Sequence, residues 1–110
     1  MAAPLPNPIV FLNKKTMVYA NEITLVEADV NYTRIHFEEK APLIVAVTLK
    51  KIEPLLLMHG FLRIHKKFLV NLNCVDISLL DDEVVTLQNN VEIRVSRRKR
   101  STLRRNLKKK

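Results

Sequence analysis

Two short basic segments of this sequence carry the side chains best suited to bind a polyanion. Residues 61–67 form an alternating apolar stretch that places Arg63 and His65 on one strand face and ends in two lysines. Residues 96–100 are a serine followed by four basic residues. Guanidinium and ammonium groups donate charge-assisted hydrogen bonds to phosphates and to acceptors on base edges. Two cationic loops of this kind favour nucleic acid over a substrate pocket.

The positive charge is concentrated in the second half of the chain. The 110 residues carry a net charge of +8, yet residues 1–47 hold four basic and five acidic residues. Residues 48–110 hold fifteen basic and six acidic residues, and from Arg94 onward there are ten basic residues and no acid. A one-sided positive field attracts phosphate. For residues 108–110 the alternative is a solvated tail that only aids solubility.

No set of residues has the spacing of a catalytic or metal site. The three histidines (His36, His59 and His65) are scattered, without paired Cys or His spacing for a metal. The acidic residues 81–83 fall at a predicted hairpin turn, and a single glycine excludes a glycine-rich phosphate loop. We therefore predict a binding module that is not an enzyme and needs no metal or cofactor.

The elements that must position these side chains are mostly short strands within one domain. Alternating or β-branched runs separated by polar turns are typical of an all-β sandwich or barrel. Residues 81–82 and 89–90 are Asp and Asn pairs where two-residue hairpin loops are expected. The predicted strands are residues 9–12, 16–20, 23–28, 32–37, 43–47, 61–65, 75–80, 84–88 and 92–95.

Two helices are predicted beside the strands. The first has Thr48 as its N-cap, an apolar stripe over residues 49–56, and Gly60 after its end. Pro54 removes a backbone donor, so we expect this helix to be distorted into two short turns. The second covers residues 97–107, with Ser96 as cap and two leucines on one edge, Leu103 and Leu107, that anchor a largely basic helix to the domain.

The remaining features concern the ends of the chain and its cellular setting. Residues 1–8 hold three of the five prolines and are predicted to be a flexible leader, with the domain at 9–107 and a basic tail at 108–110. The sequence has no apolar run of about 18 residues. Its single cysteine, Cys74, lies in an apolar stretch where a buried structural thiol is expected. These features indicate a cytoplasmic protein.

Residues 61–72, Phe-Leu-Arg-Ile-His-Lys-Lys-Phe-Leu-Val-Asn-Leu, resemble a family signature. The signature Phe-x-Arg-Ile-His-Arg-Ser-x-Leu-Val-Asn-Leu belongs to the LytTR DNA-binding domains of bacterial response regulators. Residues 23–28 and 31–35 look like the early strands of that family, residues 48–53 like its short helix, and residues 95–98 like its closing Val-Ser-Arg motif. The resemblance covers about residues 9–107.

The resemblance implies a mainly β fold, an elongated β-sheet sandwich of about nine or ten short strands with one or two short helices. It also implies that loops between strands read bases in the major groove. The matching base-reading positions are Thr33, Lys66 and Arg97. For Thr33 the contact is a thymine methyl group or a phosphate, and the alternative is a plain exposed strand residue. Lys66 and Arg97 fit independently, because both side chains donate to guanine acceptors. The candidates for phosphate contacts, which fix register without reading sequence, are Arg63, His65, Lys67, Arg98, Lys99 and Arg100.

One departure from the family pattern affects the expected specificity. Lys66 and Lys67 stand where Arg-Ser is usual, which adds charge and favours stronger non-specific binding.

The implied function is sequence-specific binding of double-stranded DNA in transcription regulation. The implied partners are duplex DNA, a second copy on paired sites, and a sensor kinase or receiver domain of a two-component system outside this chain, with no membrane. Whether the chain is a stand-alone regulator or a fragment stays open. The alternatives are a basic β-domain that binds structured RNA, and a module whose basic face binds an acidic protein.

Overall fold

Nine short strands in three antiparallel sheets and two α-helices make up the described part of the chain. The computed structural model describes residues 8–79, 81 and 83–108; the predicted leader therefore lies almost wholly outside it. The predicted mainly β fold is confirmed. The elements are β1 (Ile9–Phe11), β2 (Met17–Tyr19), β3 (Ile23–Asp29), β4 (Tyr32–Phe37), β5 (Leu43–Val45), α1 (Leu49–Leu57), β6 (Phe61–His65), β7 (Phe68–Asn71), β8 (Val84–Thr86), β9 (Glu92–Arg94) and α2 (Arg100–Lys108).

A five-stranded sheet with the strand order β5-β4-β3-β7-β6 forms the centre of the molecule. Successive side chains of a strand point to opposite faces, so on β7 Leu69 enters one hydrophobic core and Val70 the other. The first core also contains side chains of the β1-β2 hairpin and α1, and the second contains side chains of the β8-β9 hairpin and α2. Packing on both faces makes the central sheet a rigid support for the turns at its ends.

Helix α1 begins and ends close to the predicted residues. The carbonyl oxygen of Thr48 accepts hydrogen bonds from the first turn, although its side chain makes no capping bond. Gly60 has a φ of +85°, which confirms the expected left-handed position after the helix. The buried stripe that holds the helix on the sheet consists of Leu49, Ile52 and Leu56.

The prediction that Pro54 divides this helix was wrong. The helix is continuous from Leu49 to Leu57 with Pro54 inside it. Proline cannot donate to the carbonyl oxygen of Lys50, four residues earlier. Both Pro54 and Lys50 are exposed, so this carbonyl group lies on the solvent side of the helix and is not buried in the core.

The second predicted helix is present in two parts. Residues Arg97–Lys99 form a 3-10 helix, and α2 follows directly and includes Lys108, the first residue of the predicted tail; residues 109 and 110 lie outside the described part. The side chain of Ser96 makes no capping bond, but its carbonyl oxygen accepts a hydrogen bond from Lys99 N at 2.9 Å. Leu103 and Leu107 are buried in the second core, as expected for anchors.

The predicted strand at residues 75–80 was also wrong. Val75 makes an isolated bridge to Leu87, and residues Ile77–Leu79 form a 3-10 helix; Leu80 lies outside the described residues. The carboxylate of Asp76 accepts hydrogen bonds from both the backbone N (3.1 Å) and the hydroxyl (2.6 Å) of Ser78. A side chain that bonds its own local backbone favours a turn over a sheet ladder.

The hairpin loop predicted at residues 89–90 is present with a different length. Leu87 N donates to Val91 O at 2.8 Å, which leaves a three-residue loop, and Asn90 takes the left-handed position with a φ of +71°. Asp82 of the other predicted loop lies outside the described residues.

Cys74 belongs to the 3-10 helix Leu72–Cys74 and is partly buried against the second core.

Candidate nucleic-acid interface

Three connections meet at one end of the central sheet. The β3-β4 hairpin turns there through Val30 and Asn31. The backbone N of Ala28 donates to Lys67 O at 2.8 Å, which sets the β6-β7 turn beside that hairpin. Ser96 N donates to Ile64 O at 2.7 Å, which brings the segment after β9 to the same place. We call the three connections, residues 30–31, 66–67 and 96–99, the loop end.

The β6-β7 turn consists of Lys66 and Lys67, and both side chains are exposed. A register shift between Arg63 and His65 precedes the turn. Such an irregularity bends a strand and changes the direction of the side chains after it. The two lysines therefore lie at the end of a strand, as the sequence predicted, and the bent hairpin exposes both side chains to solvent.

Arg63 holds this turn from the inside. Its Nε donates to His65 O at 3.3 Å, its Nη2 donates to Lys66 O, and its Nη1 donates to Glu53 Oε1 at 2.9 Å. The side chains of Arg63 and Glu53 are 22% and 27% exposed. The guanidinium group therefore ties the turn to helix α1. Arg63 was expected to contact phosphate; in the structure each of its three guanidinium nitrogens makes a hydrogen bond within the domain, and two of these bonds reach backbone carbonyl groups of His65 and Lys66.

His65 supports the same turn from its other side. The backbone N of Lys67 donates to His65 Nδ1 at 3.1 Å, and the imidazole ring lies tilted against Phe68 with 5.5 Å between the ring centroids. The side chain is partly buried. With Nδ1 acting as an acceptor, Nε2 is the ring nitrogen left to donate outward. His65 thus combines a structural contact with one potential donor to a phosphate.

The second basic segment lies across a groove from the first. Arg97 and Arg98 are exposed and Lys99 and Arg100 are partly buried; Nε of Arg100 is buried without a hydrogen-bond partner. The groove has a volume of about 420 Å³. Its lining comes from both basic segments and from α1: Arg63, His65, Lys66, Ser96, Arg98, Lys99 and Glu53.

The exposed cations of the loop end have no acidic partner among the described residues. Throughout the described part of the chain, the basic residues that form ion pairs are Arg34, His36, Lys40 and Arg63. The side chains of residues 66–67 and 97–99 take part in none of them. Positive charge that is not neutralised within the domain is available to an external anion.

Features of other kinds of site are missing from the described part of the chain. No three or more His, Cys, Asp or Glu side chains there are grouped to hold a metal ion. Among the same residues, no helix has both the length and the apolar character that crossing a membrane requires.

Comparison with known families agrees with this geometry. The sequence matches the family model described as the LytTr DNA-binding domain over residues 13–108, which is most of the chain. The chain belongs to the LytTR DNA-binding domain family. Its general function is therefore DNA binding in transcription regulation. The comparison gives no support to the alternative of RNA binding.

The fold of this LytTR domain is also found in a solved structure. It is similar to the LytTr DNA-binding domain of a putative methyl-accepting/DNA response regulator from Bacillus cereus, with a TM-score of 0.70 and 22% sequence identity. The match covers 91% of this chain and 94% of that one. A search of curated proteins finds no match.

Thr33 does not have the position in this LytTR domain that the family resemblance implied. It is fully buried, and its hydroxyl group donates to Val47 O. A side chain without accessible surface cannot touch a base edge, so the expectation for Thr33 is corrected to a structural role. The exposed residues of this connection are instead Val30 and Asn31, and the residues on either side, Asp29 and Tyr32, are also exposed.

Sequence reasoning missed two residues of the candidate interface. Glu53 was not singled out, although it is the only acidic residue between Glu39 and Asp76. An isolated acid in a basic region is a signal for an internal ion pair, which is the role it has with Arg63. Val30 was missed because no residue pattern in the sequence marks a valine as the exposed tip of a hairpin turn.

Proposed function

We propose that this LytTR domain binds double-stranded DNA sequence-specifically by inserting turns of its loop end into the major groove, and so regulates transcription. One observation carries the proposal: two basic segments, residues 66–67 and 97–99, lie together at one end of a sheet that is packed on both faces. The side chains of these segments form no ion pair within the described part of the domain. The major groove, about 12 Å wide, admits a two-stranded β-ribbon. In this domain β6 is the edge strand of the five-stranded sheet and β7 is its neighbour, so we propose that only the turn between them enters the groove.

The side chains divide into three proposed roles. Lys66 and Arg97 donate to base edges, because both are exposed at the tips of connections and both suit the acceptors of guanine. The contacts to phosphate come from Lys67, Arg98 and the partly buried Lys99. Smaller contributions come from His65, whose ring packs against Phe68, and from Arg100, whose Nε is buried. Arg63 acts indirectly, since it fixes the turn that carries Lys66.

The wider setting is proposed by analogy. The similar Bacillus cereus protein is described as a response regulator, so we infer that this domain also acts in a bacterial two-component system, in the cytoplasm. A sensor kinase and a receiver domain would then lie outside this chain. Two copies on paired DNA sites are proposed as the bound arrangement, with each copy using its own loop end.

Selection of bound sequences from a random duplex library, followed by mobility shifts at several salt concentrations, tests the proposal. One enriched motif is expected, with duplex bound more tightly than single strands or RNA. The three main phosphate contacts alone predict a log–log salt slope of about −2.7, since each contributes about −0.9, and the two smaller contributions make the slope steeper. Tighter binding to single strands or RNA at every salt concentration, or equal binding to all duplexes, would refute the proposed function.

Two substitutions separate base reading from phosphate contact. Arg97→Ala should relax selectivity at one base pair by about 1–3 kcal/mol, whereas Lys99→Ala should weaken all duplexes alike and make the salt slope shallower by about 1. Lys40→Ala is the control, because Lys40 follows the opposite end of β4 and pairs with Glu22. Equal, sequence-independent losses for the first two variants would show that Arg97 contacts only phosphate.

A further inference from the structure

The tip of the β3-β4 hairpin combines an exposed apolar side chain with an unusual backbone. Val30 is 93% exposed and has a φ of +50°. It is the first residue of a two-residue loop closed by the pairing of Asp29 with Tyr32. Such loops need a positive φ at this position, which Gly, Asn or Asp normally provides. A β-branched residue with a positive φ is an outlier.

Neither property of Val30 stabilises the domain. Its side chain is almost fully solvated, so it gives no packing energy to either core, and its backbone is strained compared with glycine at the same position. Strained residues are concentrated at functional sites, where the strain is retained for a purpose other than stability. The exposed, strained Val30 therefore indicates a contact with a molecule other than this domain.

The hairpin tip projects beyond the lysine turn. Ala28 lies beside Lys67, with Ala28 N donating to Lys67 O at 2.8 Å. Val30 is two residues further along the strand, so the tip extends about 7 Å past Lys67 at the usual rise of a strand. The major groove is about 8.5 Å deep. If Lys67 lies at the level of the phosphates, the tip comes close to the floor of the groove.

We propose that Val30 reads a thymine by contact with its C5-methyl group; this rests on the proposed function. The methyl group is the apolar feature that base edges present in the major groove, and an isopropyl side chain has no donor for phosphates or polar base atoms. The charge nearby does not prevent the approach, because the carboxylate of Asp29 is accompanied by the Arg34 guanidinium at 3.7 Å.

The same contact accounts for both unusual properties of the tip. Glycine would fit the backbone but would have no group to place against the methyl, and asparagine would fit the backbone but would bring a polar amide. Valine accepts the strained φ and supplies the apolar contact. Asn31 follows directly in the loop and is exposed; its amide suits the adenine of the same base pair.

The test replaces each thymine of the selected duplex in turn with deoxyuridine, which removes only the 5-methyl group. The wild-type domain should bind one substituted duplex about fourfold more weakly, the effect expected for one buried methyl group. Val30→Gly and Val30→Asn should lose this thymine preference at that position, and Val30→Gly should unfold at the same or a higher temperature than the wild type. The control is Asn90→Gly, which changes another left-handed turn residue and should keep the preference.

The outcomes distinguish this inference from the proposed function. If the wild type binds a selected duplex but shows no methyl effect at any thymine, or if the effect persists in both Val30 variants, the role of Val30 is refuted while the proposed function stands. If the wild type selects no duplex at all, the proposed function itself fails, and the reading of thymine fails with it.

Discussion

Replacement of Arg63 by lysine separates positioning of the loop end from simple attraction of DNA. The substitution keeps the positive charge but removes the planar fork that reaches His65 O, Lys66 O and Glu53 Oε1 at the same time. A lysine ammonium group still pairs with Glu53, but it cannot hold both carbonyl oxygens. The β6-β7 turn should therefore become mobile without any change in the net charge of the domain.

The expected change in Kd follows from the free-energy cost of ordering the mobile β6-β7 turn when DNA binds. Fixing the backbone of one residue costs about 1–2 kcal/mol. If one residue of the lysine turn must be ordered when DNA binds, the Kd for the selected duplex rises roughly five- to thirty-fold. The Kd for a scrambled duplex should change little, because non-specific binding depends on charge and not on an ordered turn. The salt slope should be unchanged, since the number of cations is the same.

Fluorescence anisotropy with the selected and the scrambled duplex, each at four or more salt concentrations, measures both quantities. The control is Arg105→Lys, the same substitution at an exposed arginine of α2, which should leave both affinities unchanged. Wild-type affinity of Arg63→Lys for the selected duplex would show that the fork does not hold the turn. An equal loss on both duplexes would also refute the reasoning, because it would identify Arg63 as a phosphate contact.

Three further predictions concern the support of the loop end. Leu103→Ala should lower the free energy of unfolding by about 2–5 kcal/mol, because this anchor of α2 is buried in the second core; urea denaturation measures it, and a smaller loss than for the exposed Leu79→Ala would contradict the anchoring role. Gly60→Ala should destabilise by about 1–2 kcal/mol, because its φ of +85° is left-handed; a rise in melting temperature would contradict this. Thr33→Val should destabilise by about 1–3 kcal/mol through the unpaired Val47 carbonyl, while the motif selected from a random library stays the same; an altered base preference would restore Thr33 as a reader.

The sequence predicted local elements well where a residue pattern has one physical cause. Gly60 marked the end of α1 because few residues accept a positive φ. Leu103 and Leu107, four residues apart, marked the buried edge of α2. In contrast, β7 was not predicted as a strand. Its side chains enter both cores and give a continuous apolar run instead of an alternation, and such a run is ambiguous without knowledge of the neighbouring strands.

The sequence predicted which basic residues belong to the candidate site, but not which of them are exposed and which bond within the domain. Lys66, Lys67 and Arg97 were expected at exposed turns, and they are exposed. Arg63 has the same charge and lies in the same segment, yet it bonds to Glu53, ten residues earlier in the chain and on another element. The inward direction of the Arg63 side chain depends on how α1 packs beside β6. A single sequence does not give that packing.

The filling of both faces of the central sheet has a consequence for how this domain can be altered. The turns of residues 30–31 and 66–67 contribute no side chain to either hydrophobic core. Under the proposed binding mode, a library randomised at these four positions should yield mostly folded proteins with new operator preferences. A library randomised at Val26, Ile35 and Val70, which are fully buried, should yield mostly unfolded chains. The part of the domain that maintains its fold is thus separate from the part that selects its DNA, so target choice can diverge while the scaffold is retained.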